Sequence, residues 1–247
     1  MKNMTATSSI GNGRFGNQFI RHLAVSLLAE KQDLKVDSYQ SQDLMNHLGI
    51  NLFSGSKIYE ETKDLTDDNY FEIYNSTDIN YNLCPRNYFL QTKEITNFLY
   101  DYLNSELIRS EIIEKNPFND RYKKNNDMFI HIRLTDAEEY NPGINYYLKT
   151  IKLINFDNLN ISTDDKDHDI LKTLFTYYPN AKLVDYDEMI TIQFASTHKY
   201  VILSNGSFSA VIGYLSFFSN VYYPEYGKKW HGDMFSIKNW EKVLLNL

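Results

Sequence analysis

From Met128 onward the chain alternates between short apolar runs and segments with helical spacing, and this regular alternation restricts the fold more than any other feature. Strands are predicted at 128–133, 159–163, 181–185, 199–204 and 219–223. Helices are predicted between them at about 144–154, 167–178, 187–197 and 207–217, with a last helix over about 236–246. Such alternation implies a parallel sheet with right-handed crossovers and helices on both faces. Ligands bind at the carboxyl edge of such a sheet, so the residues that end the strands matter most.

The first of these strands runs into Phe129-Ile-His-Ile-Arg-Leu-Thr-Asp136 and carries two polar groups that are costly to bury. His131 and Arg133 share one face and need partners at the carboxyl end. Two readings stand open for Arg133: a structural ion pair with Asp136 in the next turn, or a cation held for a ligand. Ser204-Asn-Gly-Ser-Phe-Ser209 follows the strand Tyr200-Val-Ile-Leu203 and opens an apolar helix. By itself it reads as a serine cap. Beside Arg133, on the same edge of one sheet, it reads as an anion site made of hydroxyls and free N–H groups at a helix N-terminus.

The first half begins with a short strand over 4–10, a glycine loop from Gly11 to Gly16, a helix with Phe19, Ile20, Leu23, Ala24, Leu27 and Leu28 on its apolar face, and a strand at Leu34–Asp37. Taken literally, Gly11, Gly13 and Gly16 spell G-x-G-x-x-G with Asp37 at the ribose position, which raises a rival NAD-type oxidoreductase. The weakly apolar preceding strand and Arg14 inside the loop count against it. Further along, Gln42–Leu52 is a candidate helix and 59–82 has no sustained period. Asn87–Thr92 reads as a strand and Glu94–Lys115 as one helix ended at Asn116-Pro117. The polar run Asn119–Asp127 reads as a linker. The expected domains are 1–125, 126–235, and a C-terminal helix over 236–247 that packs back on the first.

A net charge of −7 argues against broad electrostatic binding to nucleic acid. With Cys84 as the one cysteine no internal disulfide forms, no apolar run reaches the roughly 20 residues that span a bilayer, and the N-terminus lacks a signal-peptide core. A cytoplasmic protein without a transmembrane segment is expected. The aspartates at 164, 165, 167 and 169 read as helix-start carboxylates rather than metal ligands, and no histidine and cysteine spacing fits zinc.

Together these motifs resemble glycosyltransferase family 11, the α-1,2-fucosyltransferases within the wider group of enzymes that use GDP-fucose. Gly13-Arg-Phe-Gly-Asn-Gln18 stands for the family's opening loop, and Tyr88-Phe-Leu-Gln91 for its Tyr-Phe-x-Gln segment. His131-Ile-Arg-Leu-Thr-Asp136 stands for its His-x-Arg-Arg-x-Asp motif, and Tyr146-Tyr147 for its tyrosine pair. Ser162-Thr-Asp-Asp165 and Ser204-Asn-Gly-Ser-Phe-Ser209 complete the order. The stretch 40–85 is not covered.

The resemblance implies a GT-B-like α/β fold of two facing Rossmann-like domains with parallel sheets, and an inverting transfer of fucose from GDP-fucose to a glycan hydroxyl without metal or cofactor. It implies Arg133 on the diphosphate with His131 beside it, Asp136 orienting Arg133, and Glu138 or Glu139 as candidate bases. Ser204, Asn205, Ser207, Phe208 and Ser209 would surround the nucleotide with Asp164, and Gly13, Arg14, Gly16, Asn17 and Gln18 would face the donor. Leu134 departs from the pattern, because the family carries a second arginine there. That leaves a catalytically impaired GDP-sugar-binding protein on the same fold as the alternative.

Overall fold

The computed structural model describes residues 6–37, 39, 42–136, 138–225 and 232–245, and the first two residues of the predicted 4–10 strand lie outside these. The chain forms two compact units. The first comprises residues 1–112 with 232–234, and the second 113–231 with 235–247. The division therefore falls within a helix, 13 residues before the predicted boundary at 125/126.

In the first unit α1 (Phe15–Gln32) is buried on nearly every side and forms the centre. The other helices are α2 (Gln42–His47), α3 (Tyr70–Asn75), α4 (Lys93–Leu103) and the start of α5 (Glu106–Lys115). Strands β1 (Thr62–Asp64) and β2 (Asn82–Cys84) pair in parallel. The Ser8 N–H donates to Leu83 O, and Thr7 and Leu34 make single parallel bridges to Val36 and Lys57. These short pairings form a degenerate parallel sheet in which the predicted strands at 4–10 and 34–37 survive only as bridges.

Two predictions for this half are corrected. The expected strand at 87–92 is a turn: Tyr88 N–H donates to Pro85 O, and Arg86 (φ 42°) and Leu90 (φ 56°) adopt left-handed angles that no strand contains. The single helix expected over 94–115 is interrupted at Asn104-Ser105. Asn104 turns its amide back to Tyr100 O, a local bond that competes with helix continuation.

The second unit carries β3 (Met128–Ile132), β4 (Leu159–Thr163), β5 (Lys182–Leu183), β6 (Tyr200–Ile202), β7 (Asn220–Pro224) and β8 (Glu241–Val243) in one parallel sheet ordered β5-β4-β3-β6-β7-β8. Numbered within the unit this is 3-2-1-4-5-6, the order of doubly wound nucleotide-binding sheets. Helices α6 (Ile144–Lys152) and α7 (Asp169–Tyr177) cover the face of Ile130, Ile132, Leu159 and Ile161. Helices α8 (Glu188–Ala195) and α9 (Ser207–Leu215) complete the unit.

The described residues of the last predicted helix, 236–246, form no helix; they hold a turn followed by the edge strand β8. The apolar residues here are spaced by ring packing rather than by helical period: Trp240 stacks on Tyr214 at 5.5 Å and Phe235 on Tyr223 at 6.1 Å. The expected linker at 119–127 is also structured. It holds a 3-10 turn at Asn119–Arg121, Arg121 pairs with Asp127 (2.8 Å), and Asn125 donates to Thr197 O (2.9 Å). Among the described residues no helix is long and apolar enough to cross a membrane.

Candidate anion-binding site

Strands β3 and β6 are neighbours in the sheet although far apart in sequence, and the chain leaves them towards opposite sides. The carboxyl ends of these two strands form the switch point at which doubly wound sheets bind ligands. Arg133 follows β3 directly, and Ser204–Ser209 follows β6.

Ser204 ties the two ends together. Its Oγ accepts from the Arg133 N–H (3.3 Å) and from the Tyr147 hydroxyl (3.1 Å), and its own N–H donates to Ser209 Oγ (3.1 Å). Ser209 Oγ in turn lies 2.6 Å from His131 Nδ1. Tyr146 fixes the same corner by donating to Leu203 O (2.8 Å). The tyrosine pair on α6 and two of the three serines thus serve the frame of the site.

The Arg133 guanidinium makes a bidentate pair with Asp136: Nη2 reaches both carboxylate oxygens (2.7 and 2.9 Å) and Nε reaches Oδ1 (3.2 Å). Its side chain is 10% exposed, whereas that of Asp136 is 46% exposed. The pair fixes the plane of the cation at the rim.

On its other edge the guanidinium lies against Gly206. A Cβ there would come within 3.1 Å of Nη1 and 3.2 Å of Cδ, and the backbone angle (φ 90°) is one that side-chain-bearing residues resist. Gly206 is also the N-cap of α9. No side chain caps this helix, and its first turn carries no acidic residue. The dipole and the first N–H groups of α9 therefore open where Arg133 lies.

Two side chains complete the arrangement. Asn205 is fully buried, and neither its Oδ1 nor its Nδ2 has a hydrogen-bond partner among the described residues. An unsatisfied buried amide costs roughly 1–3 kcal/mol, which a bound ligand can recover. The hydroxyl of Ser207, in the first turn of α9, bonds no described residue. Phe208 packs on the His131 ring at 5.1 Å. Burial pulls the His131 pKa down to about 4, with Arg133 adding to the fall, so the ring is neutral at pH 7.

The remaining residues singled out in the sequence fall in different places. Asp164 underpins the turn after β3, accepting from the Leu134 N–H (2.7 Å) and the Thr135 hydroxyl (2.7 Å). Partial desolvation works against its charge, but these bonds outweigh it and hold the carboxyl below its usual range. Glu138 Oε1 lies 3.1 Å from His168 Nε2, and His168 Nδ1 accepts the Ile170 N–H as the cap of α7. With Nδ1 accepting, Nε2 is the nitrogen that donates to Glu138. His168 is thus the cap of α7, while Asp169 stands in its first turn as a helix-start carboxylate.

Leu134 is fully buried in the core between the sheet and α6 and α7, so this position faces inward and not towards the anion site. Among the described residues no group of three or more histidine, cysteine, aspartate or glutamate side chains could hold a metal ion.

Gly13, Arg14, Gly16, Asn17 and Gln18 belong to the first unit. Gln18 Nε2 donates to Gly13 O (3.0 Å), and Gln91 Nε2 donates to Asn17 Oδ1 (2.8 Å). The glycine at position 11 has an internal reason: the Arg21 guanidinium lies directly on it, donating to Asn12 O (2.8 Å) and Tyr88 O (3.3 Å). A dinucleotide is not needed to explain that glycine.

The sequence signals missed Asn205's isolation and the Glu138–His168 contact. The polar residues Asn160 and Ser162 within β4 were a readable sign that one face of this strand is not covered by apolar side chains. Comparison of the sequence with protein-family models and with curated proteins finds no match.

Proposed function

We propose that the second unit binds the diphosphate of a nucleotide sugar, and that the protein is a GT-B-type, inverting, metal-independent glycosyltransferase that moves fucose from GDP-fucose to a glycan hydroxyl. One observation carries this reading: a carboxylate-fixed guanidinium lies on Gly206 at the uncapped start of α9, at the β3/β6 switch point.

The chemistry follows from those residues. Departure of the nucleotide places negative charge on the diphosphate. Arg133, fixed by Asp136, and the first N–H groups of α9 would meet that charge, and a preorganised donor of this kind is worth roughly 100- to 1000-fold in rate. Neutral His131, held by Ser209, supports the wall beside Arg133 without adding charge. Asn205 and Ser207 supply the amide and hydroxyl for the nucleotide's polar edges. Glu138, which follows Asp136 in sequence and accepts from His168, is the candidate that takes the acceptor's proton.

The second reading, a GDP-sugar-binding protein without transfer, rests on Leu134 standing where the resembled family has arginine. Because Leu134 lies in the core, a single guanidinium must suffice in either reading. Incubation with GDP-fucose separates them: release of GDP with inversion at the anomeric carbon marks the transferase, and binding without turnover marks the binding protein.

A further inference from the structure

The second unit holds a separate pocket of about 460 Å³ on the face of the sheet over β4 and β5. Its presence follows from the chain: on this face β4 shows Asn160 and Ser162 rather than apolar residues, and β5 is a two-residue edge strand whose side chains are exposed. Helix α8 has only eight residues and contributes Phe194 to the wall. The space is within the range of about 300–1,000 Å³ typical of small-molecule sites.

We propose that this pocket binds a neutral saccharide. Its charges balance, with Arg121 and Lys182 against Asp127 and Asp185, so the lining favours neither an anion nor a cation. Arg121 and Asp127 are paired with each other, and Asn158 donates to Asp127 (2.7 Å), while Asp185 pairs with Lys166 (2.6 Å). The Arg121–Asp127–Asn158 bonds orient planar polar groups in the lining.

Asn160 Nδ2 lies 3.0 Å from His198 Nε2, whose Nδ1 contacts Phe194 O (3.0 Å). The amide therefore donates to the ring, and its orientation is fixed. Opposite in character is Tyr186, 50% exposed and clamped between Phe118 (6.1 Å) and Phe194 (5.6 Å). A fixed, half-open aromatic ring beside rigid amides and balanced charges complements a sugar ring, which has an apolar C–H face and a rim of hydroxyls that both donate and accept.

The inference does not rest on the GDP-sugar reading. The test is ligand-observed NMR on the full chain with glucose, galactose, N-acetylglucosamine and lactose, and with inorganic phosphate as the charged control. Saturable binding of at least one sugar is expected, weakened about tenfold in Tyr186→Ala and also weakened in Lys182→Ala, with thermal melts confirming that both variants fold. No saturable sugar binding, uptake of phosphate alone, or sugar affinity in both variants unchanged from the parent overturns the proposal. Titration of the same variants with GDP separates this pocket from the anion site, since neither residue belongs to the latter.

Discussion

Each unit places an arginine on a glycine near the start of a helix, and the two uses differ in what the guanidinium faces. Arg21, in the second turn of α1, is fully buried; it donates to Asn12 O and Tyr88 O, lies 5.2 Å from the Phe89 ring centre, and its Nη1 has no hydrogen-bond partner among the described residues. Burial lowers its pKa. Arg133 sits at a strand end, pairs with the half-exposed carboxylate of Asp136, and reaches the uncapped start of α9. The first joins two loops through their carbonyls. The second keeps a charge at the rim of a crevice. The first guanidinium is spent on main-chain oxygens, whereas the second makes the ion pair with Asp136 that its sequence position offered, and on the proposed reading that pair presents the cation to a ligand.

If that contrast is right, Arg21→Ala is primarily a stability variant. Loss of two charge-assisted bonds and of the buried side chain is expected to cost about 3–4 kcal/mol, read by denaturant unfolding. An unchanged unfolding midpoint would erase the distinction between the two arginines.

The next effect concerns acid. His131 and His198 are both held neutral by burial, each with a folded pKa of about 4 against an ordinary value of 6.5. Between those values the unfolded chain takes up protons that the folded chain does not. Stability is thus fully present above about pH 6.5 and falls as the pH drops to about 4, by about 3 kcal/mol per histidine. Melting curves from pH 7.5 to 4.5 check this, and His131→Asn should flatten the fall. A flat profile in the parent protein would mean that these rings are not held neutral.

Gly206→Ala acts on the rim itself. The left-handed angle and the approach to Arg133 Nη1 should cost about 2 kcal/mol in stability and weaken GDP binding about tenfold by displacing the guanidinium. Chemical unfolding and calorimetry measure the two effects. A stability loss with unaltered GDP affinity would uncouple Gly206 from ligand binding.

The smallest stability change belongs to Asn205→Ala. Removing an amide without a partner among the described residues relieves its desolvation cost but leaves a cavity, so the net stability shift should be less than about 1 kcal/mol, yet GDP affinity should fall about tenfold if the ligand is its missing partner. A large destabilisation would instead assign Asn205 to the frame.

Legibility in the sequence divided along similar lines. Most of the second unit's elements were readable because its strands alternate with helices of clear period, and β4 lies where 159–163 predicted it. In the first unit the helix α1 was readable from its apolar spacing, but the sheet was not, because it is held by two three-residue strands and single bridges, too short for any period to register. The C-terminal strand β8 was mistaken for a helix because Phe235, Ile237, Trp240 and Val243 are spaced by stacking on Tyr214 and Tyr223 and by their shared burial.

Within the site, Arg133, Asp136 and the Ser204–Ser209 turn were legible from polar residues ending two strands of one sheet. Their division of labour was not. That Ser204 and Ser209 bond inward while Asn205 is left without a partner depends on rotamers and on Tyr147, which sequence spacing does not encode.

The central claim is that Arg133 and the start of α9 form one diphosphate site. Isothermal titration of the full chain with GDP, parent against Arg133→Ala, tests it most directly. Saturable binding by the parent and a loss of roughly 100-fold in the variant are expected for a charge-assisted contact to a desolvated anion. Absence of GDP binding in the parent, or equal affinity in Arg133→Ala, would contradict the account.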